Sequence, residues 1–397
     1  LRDVKVLFCL TSLGAGGTER STALLLPELR DRGIECEVAV LERTEVGNEQ
    51  RVVAQGFEIL HVAGATRAAK IRALRKLVAQ RRPDVLHTAV FDADLVGRLA
   101  GWRSGCAVVS SLINTSYAPE RLQDSNVHPL KLKLARAVDG WTARHLTHTI
   151  HAVSEGVARA NAADLRIPRA KIIVVERGRK PLEASSAASR ESVRASLGIS
   201  RDALLLLAVG RVEFQKSHVD LVESIDLLRR HSRFADAQAV IAGRSGNASA
   251  LVAEAIEKRD LAKSVRVLGH RDDIADLLLA ADVFVLPSRY EGTAGAALEA
   301  MAAGVPIVTA DVAGLEGVLQ DQRNALLTPI GDAAALATAV ETIMSDDALR
   351  DRLVATAHSD FEERFTLARC ADRMRLMYLQ VCDSDASSQG ARSSTPA

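Results

Sequence analysis

Apolar residues in this chain fall into two recurring patterns. Short, almost unbroken apolar runs such as VKVLFCL at 4–10 are the signature of strands covered on both faces. Stretches with apolar residues at helical spacing separate them. The run at 4–10 passes through Thr11, Ser12, Leu13, Gly14, Ala15, Gly16 and Gly17 into a helix with Leu24, Leu25, Leu26 and Leu29 on its inner side. That helix ends before Gly33, and 37–41 is the next strand. The order predicts a βαβ unit with right-handed parallel pairing. It continues through helix 68–81, strand 85–86, helix 93–100 and strands 107–112, 150–153 and 171–175. Between 178 and 195 the periodicity lapses and Ser, Ala and Pro accumulate, as in a linker. A second series starts with strand 204–209 and Gly210, then helix 219–230 and strands 237–242, 265–268, 283–286 and 306–309. Helices at 333–344, 347–357 and 365–381 follow, and the final DSDASSQGARSSTPA has a disordered composition.

The prediction is therefore α/β: two doubly wound domains, 1–177 and 196–364, joined by a linker at 178–195. A helix at 365–382 and a disordered tail at 383–397 complete the chain. In such an arrangement ligands bind at the carboxyl ends of the strands, in a cleft between the domains.

Composition narrows the function classes. The 397 residues exceed one core, and 48% hydrophobic content is enough for two. Aromatics at 3% argue against stacking platforms for single-stranded nucleic acid, so no nucleic-acid partner is expected. Cys9, Cys36, Cys106, Cys370 and Cys382 show no paired spacing, which reads as reduced thiols in a cytoplasmic protein. No apolar run reaches the roughly 18–20 residues of a membrane span, and the first residues read as a strand rather than a signal peptide. Charge is unevenly spread. The first 180 residues hold 28 basic and 19 acidic side chains, a net +9, and the rest hold 23 and 31, a net −8. This fits different partners for the two halves, or two halves that attract each other.

The richest stretch chemically is 287–306, PSRYEGTAGAALEAMAAGVP. Gly292 and Gly295 leave the backbone bare ahead of a small-residue helix at 296–303, where free N–H groups can meet an anion. Glu291 precedes this helix and Glu299 lies within it, placed to accept from the hydroxyls of a ribose or a sugar. Arg211 and Lys216 follow the strand ending at Gly210 and can neutralise a diphosphate as its bond breaks. The plainer alternative is solvated cations at a turn and surface carboxylates. Glu299, set among Ala, Leu and Met, argues against it, because a buried carboxylate needs a specific partner. Gly14, Gly16 and Gly17 form only part of a dinucleotide fingerprint, since Glu19 stands where its last glycine belongs, so an NAD enzyme is disfavoured. No His, Asp or Cys spacing suggests a metal; Asp272–Asp273 and Asp346–Asp347 read as helix starts. Basic segments lie at 67–82 and 128–144. The second alternates Leu and Lys before Val138 and Trp141, a pattern that can lie on anionic lipid or cover a helix pair with solvated charge.

Taken in order, GRVEFQK, LGHRDDIADLLLAADVFVLPSRYEG and EGTAGAALEAMAAGVPIV, with LTSLGAGGTER, PDVLHTAVFDADLVGRLAG and IHAVSEGVA in the first half, resemble glycosyltransferase family 4, the retaining GT-B transferases. The resemblance spans nearly the whole chain. It implies a GT-B fold, two Rossmann-like domains facing across a cleft, and transfer of a sugar from an NDP-sugar, UDP- or GDP-linked, to an acceptor hydroxyl. By resemblance, Arg211 and Lys216 bind the diphosphate, Glu299 holds the ribose hydroxyls and Glu291 faces the donor sugar. The backbone of Gly210, Gly292, Thr293, Ala294 and Gly295 lines the sugar and β-phosphate. Gly16 and Gly17 close over them, and His270 and Arg271 lie at the base. Glu291, Arg211 and Lys216 form the expected catalytic set, Asn114 and Thr115 the acceptor side. No metal and no cofactor beyond the donor is implied. The expected acceptor is a carbohydrate or lipid-linked molecule of bacterial cell-surface polysaccharide or glycolipid synthesis. The expected location is the cytoplasm, with peripheral association at the inner face of an anionic membrane.

Three departures from the family pattern stand out. Ser217 follows Lys216 where glycine is usual, and Glu291-Gly292-Thr293-Ala294 replaces Glu-Gly-Phe-Gly. Ile113 occupies the place of a sugar-facing histidine. That last change leaves open a sugar-nucleotide-binding protein without transfer activity, and a GT-B sugar-nucleotide epimerase is a further alternative.

Overall fold

The computed structural model describes residues 4–44, 47–181, 185 and 189–393, and for 385–393 the backbone alone. Two compact units emerge. One comprises Leu1–Tyr117, Asn126–Arg179 and Leu367–Ala397, the other Ala118–Ser125 and Lys180–Thr366.

The first unit is built on seven parallel strands: β1 (Val4–Leu10), β2 (Ile34–Val40), β3 (Ile59–His61), β4 (Val85–Ala89), β5 (Ala107–Leu112), β6 (Thr149–Ala152) and β7 (Ile172–Val174). Their order is β3-β2-β1-β4-β5-β6-β7. Strand β1 is apolar at nearly every position because both faces are covered. Val4, Val6, Phe8 and Leu10 pack on one side with Leu26 and Leu29 of helix Gly17–Arg30 and with Met374, Met377 and Tyr378 of the final helix. Leu7 and Cys9 pack on the other side with Leu74, Val78, Val96 and Ala100. The helix after β1 and the helix after β4 thus lie on opposite faces.

A directed hydrogen-bond chain ties the final helix to this sheet. The Val175 carbonyl can only accept, so His151 Nε2 donates to it at 2.9 Å. His151 Nδ1 then accepts from Ser111 Oγ at 2.7 Å. Ser111 in turn accepts from His87 Nε2 at 2.7 Å, and His87 Nδ1 accepts from the Tyr378 hydroxyl at 2.6 Å. Burial holds both imidazoles neutral, with His87 well below the usual histidine range and His151 pushed down to about 4. His87, within β4, is thus a histidine with both ring nitrogens satisfied.

The second unit has six parallel strands: β8 (Leu205–Val209), β9 (Gln238–Ala242), β10 (Val265–Gly269), β11 (Val283–Leu286), β12 (Ile307–Ala310) and β13 (Leu326–Thr328). They run β10-β9-β8-β11-β12-β13. Leu204, Leu206 and Ala208 face helices His218–Leu228, Ser249–Lys258 and Ala333–Ser345. Leu205 and Leu207 face helices Ile274–Ala280 and Gly295–Ala302. Both units are doubly wound α/β, the predicted class.

Several boundaries differ from the sequence reading. The three-residue edge strands β3 and β13 went unpredicted, being too short to show a period. Strand β2 starts at Ile34 rather than 37, its exposed Glu35 masking the pattern. In the linker stretch 178–195, a helix already starts at Arg190, capped reciprocally by Ser189 and Ser192; 182–184 and 186–188 lie outside the described residues. The stretch 383–397, read as disordered, continues the helix Leu367–Ser393, with 394–397 outside the described residues. Its Ala, Ser and Gln lack an apolar face but can prolong a helix already nucleated by packing.

The histidine chain predicts an acid-sensitive first unit. His151 titrates near 4 when folded and near 6.5 when unfolded. Its contribution is therefore complete above pH 6.5 and is lost as pH falls towards 4, on the order of 3 kcal/mol. His151→Gln should lower stability at pH 7 yet flatten this acid slope, read from thermal unfolding at several pH values. An unchanged slope would show that this imidazole does not govern it.

Candidate functional site

Reversal of strand order between β8 and β11 sends their following helices to opposite faces and opens a crevice at their carboxyl ends. This is where doubly wound sheets bind ligands. The two strand exits supply the candidate residues. Strand β8 runs into Gly210, whose φ of +156° suits glycine. A Cβ there would stand 3.0 Å from Lys216 Cε. A 3₁₀ turn over Phe214–Lys216 follows, then Ser217 with φ +46° and helix His218–Leu228. Strand β11 runs through Pro287 and Ser288 to Glu291, Gly292, Thr293 and Ala294, the last with φ +45° at the start of helix Gly295–Ala302.

The two exits are joined side chain to side chain. Lys216 Nζ stands 2.5 Å from Glu291 Oε1, and Ser288 Oγ donates to the same oxygen at 2.6 Å. Gln215 Nε2 donates to the Tyr290 carbonyl at 2.9 Å, and the Arg289 amide donates to the Gln215 carbonyl at 2.8 Å. Glu291 is 4% exposed, so its charge is held by these neighbours rather than by water. Burial and the adjacent Lys216 charge push His218 down to about 3, leaving it neutral behind the lysine. Glu299, one turn into helix Gly295–Ala302, is 1% exposed among buried Leu298, Ala300 and Met301. Its burial is as its sequence neighbours suggested.

Two glycines bring these backbones close. A Cβ on Gly243, after β9, would lie 1.8 Å from the Gly210 carbonyl oxygen. One on Gly314 would lie 1.8 Å from the Glu291 carbonyl oxygen. Sequence reasoning passed over both, and also Ser288 and Gln215. The Ser three positions before Glu291 was the available signal.

The other expected residues are more scattered. Arg211 pairs with Glu213 at 2.6 Å and its side chain is 58% exposed, outside the Lys216–Glu291 cluster. His270 lies 3.4 Å from Asp272, and Arg271 pairs with Asp273; both follow β10, two strands from β8. Gly16 and Gly17 stand in the first unit, where Gly16 caps helix Gly17–Arg30 without a side-chain bond. There, Arg177 and Arg179 donate to Thr18 and Ser21 at 3.2 and 3.1 Å. Asn114 Oδ1 accepts from the Thr115 amide at 2.8 Å, and the Asn114 carbonyl accepts from Asn161 at 3.0 Å. Nearby, a cavity of about 60 Å³ opens at the ends of β1, β4, β5 and β6, with Leu10, Ala89, Ile113 and Val153 among its walls. Among the described residues, no group of three or more His, Cys, Asp or Glu side chains is arranged to hold a metal ion.

The fold and site define a two-unit Rossmann-type protein with a lysine, buried carboxylates and a helix start gathered at the switch point of its second sheet. The family comparisons agree. Residues 189–360 match the model for glycosyl transferases group 1 and residues 16–178 that for a glycosyl transferase 4-like domain. The chain belongs to the group 1 glycosyltransferases, of the family 4, GT-B type. It is 27% identical over 389 residues, 91% of each chain, to the 2-deoxystreptamine N-acetyl-D-glucosaminyltransferase of Streptomyces fradiae. An uncharacterized glycosyltransferase of Methanocaldococcus jannaschii is 30% identical over 220 residues, 54% of this chain and 55% of that protein, so the match spans about half of that relative's length. The structure of Anabaena HepE in complex with UDP and glucose superposes with a TM-score of 0.81 at 19% identity, covering 94% of this chain and 99% of that one.

The close approaches at Gly243 and Gly314 predict that alanine at either position destabilises the second unit by about 1–3 kcal/mol, since main chain must move. Denaturant unfolding measures this. Wild-type stability in both variants would mean that the strand exits can separate without cost.

Proposed function

We propose that this protein is a retaining hexosyltransferase that moves a sugar from a nucleoside-diphosphate sugar, UDP-linked in the first instance, to an acceptor hydroxyl. The observation that carries this reading is the Lys216–Glu291–Ser288 cluster beside the start of helix Gly295–Ala302. A diphosphate seated at the helix start would draw the Lys216 ammonium to its oxygens and turn Glu291 towards the sugar hydroxyls. Glu299 would accept from the ribose. Arg211, exposed and paired with Glu213, can swing to the phosphates. The preference for UDP is supported by HepE, whose structure contains UDP. A second support is the name of an Escherichia coli relative, UDP-Gal:alpha-D-GlcNAc-diphosphoundecaprenol alpha-1,3-galactosyltransferase, 24% identical over 309 residues.

In the front-face route, the acceptor oxygen forms its bond to the anomeric carbon on the side from which the diphosphate leaves. The C1–O bond electrons pass to the diphosphate, and the acceptor proton goes to a phosphate oxygen. The protein's share is to stabilise the departing charge and to orient both reactants. The acceptor is proposed to be a carbohydrate or lipid-linked hydroxyl in cell-surface polysaccharide or glycolipid synthesis, reached from the cytoplasmic side of an anionic membrane. Metal independence belongs to the same reading, Lys216 and the helix start supplying the positive field. Ile113 favours one second reading, a sugar-nucleotide-binding protein without transfer.

The test is ligand-induced thermal stabilisation by UDP, GDP, ADP and their sugars, followed by the anomeric configuration of any product by NMR. Saturation at about 100 times Kd should add roughly 2.7 kcal/mol to the wild type. Lys216→Ala and Glu299→Ala should each lose most of that increment whatever their own basal stability. Stabilisation by none of the nucleotides would refute the donor site. Binding without product would favour the non-transferring reading, and an inverted product would exclude the retaining one.

A further inference from the structure

Helix Pro129–Leu146 presents two unlike faces. Its inner face is fixed by polar bonds. The buried Arg98 donates to Asp139 Oδ1 at 2.6 Å and to Thr142 Oγ1 at 3.0 Å, and Tyr117 donates to Asp139 Oδ2 at 2.8 Å. Gly140 lies so close to the Leu165 carbonyl that a Cβ would stand 2.9 Å from it. With the inner face pinned, the outer face has one orientation.

That outer face is apolar. Leu130, Leu134, Val138 and Trp141 are 72, 67, 36 and 52% exposed. At about 100° per residue they fall at about 0°, 40°, 80° and 20°, a single stripe opposite Asp139 at about 180°. Lys131 and Lys133 flank it at about 100° and −60°, both exposed and without an ion pair among the described residues. Arg136 is paired with Asp164 at 3.2 Å, and residues 125–138 contain no Asp or Glu. The His145 ring lies 5.3 Å from that of Trp141 at the far end.

We propose that this stripe docks the first unit onto an anionic lipid surface. Leu130, Leu134, Val138 and Trp141 enter the headgroup–acyl boundary, and Lys131 and Lys133 extend to the lipid phosphates on either side. Among the described residues no helix is long and apolar enough to cross a membrane, so the contact is peripheral. A second copy of the chain fits less well, because twofold pairing of the stripe would set its flanking lysines against their equivalents. A protein partner fits less well too, since lysine is depleted at protein–protein interfaces. The proposal deepens the membrane-side part of the function proposed above and rests on it for its biological sense, while its physics is independent of the donor site.

Flotation of the full chain with phosphatidylcholine vesicles, with and without 30% phosphatidylglycerol as the anionic probe, tests it. Binding should be at least tenfold stronger to the anionic vesicles. Lys131→Gln and Lys133→Gln should each weaken it about fivefold, the factor corresponding to about 1 kcal/mol per basic residue at such a surface. Leu134→Glu should weaken it tenfold or more. In a Trp102→Phe background, Trp141 emission should shift to the blue on anionic vesicles. The UDP thermal shift, run on each variant, reports the donor site separately. Preserved UDP response without vesicle binding in the wild type overturns docking alone, and vesicle binding without UDP response overturns the donor reading alone. Equal binding to both vesicle types, insensitivity to Leu134→Glu, or a wild-type dimer that Leu134→Glu dissolves would each overturn the lipid assignment.

Discussion

Parallel strands that neighbour each other but send their following helices to opposite faces leave a gap at their carboxyl ends that main chain does not fill. In the second unit that gap lies between β8 and β11, and it governs which residues can meet. Lys216 and Glu291 are 75 positions apart in sequence, yet their side chains lie 2.5 Å apart because each follows a strand bordering the gap. Burial of Glu291 and the hydrogen bond from Ser288 follow from the same placement. So do the glycines at 210, 243 and 314, which let backbones approach where side chains would collide. Helix Gly295–Ala302 starts at the gap and aims its free N–H groups at it.

The first unit repeats this strand arrangement between β1 and β4 but fills the neighbourhood differently. Its polar groups are spent on an internal chain from Tyr378 to the Val175 carbonyl, every donor and acceptor direction fixed. Such a chain holds the final helix against the sheet and leaves its imidazoles neutral. The second unit keeps a charged pair at its gap. A charged, partly accessible pair can exchange partners when an anion arrives, whereas a neutral, saturated chain resists exchange. One topology therefore supplies a rigid support in one unit and a responsive centre in the other.

Much of this was legible in the residues. Nearly continuous apolar runs gave β1 and β11 their ends, because strands covered on both faces leave few polar positions to blur them. The stretch around Glu291 and Glu299 was recognisable because a buried carboxylate and bare glycines beside a helix start are rare without a ligand to meet. What was not legible depended on geometry across the sheet. Nothing local says that Gly243 and Gly314 face carbonyls of distant loops, or that Arg211 rests on Glu213. The histidine chain was hidden for the same reason, since His87, Ser111, His151 and Tyr378 come from four separate elements. His87 alone gives no hint of its partners.

Ile113 fits this division between the units. With Leu10, Ala89 and Val153 it lines the cavity at the ends of β1, β4, β5 and β6, whose walls also carry Ser111 and His151. A histidine among them would need a partner, and two polar groups of that wall, Ser111 and His151, are already committed to each other. Isoleucine needs no such partner and leaves that chain undisturbed. In a front-face transfer the acceptor proton leaves with the diphosphate, so the chemistry requires no base from this position. On the front-face route proposed above, Ile113 is then compatible with transfer at the charged centre that Lys216 and Glu291 retain.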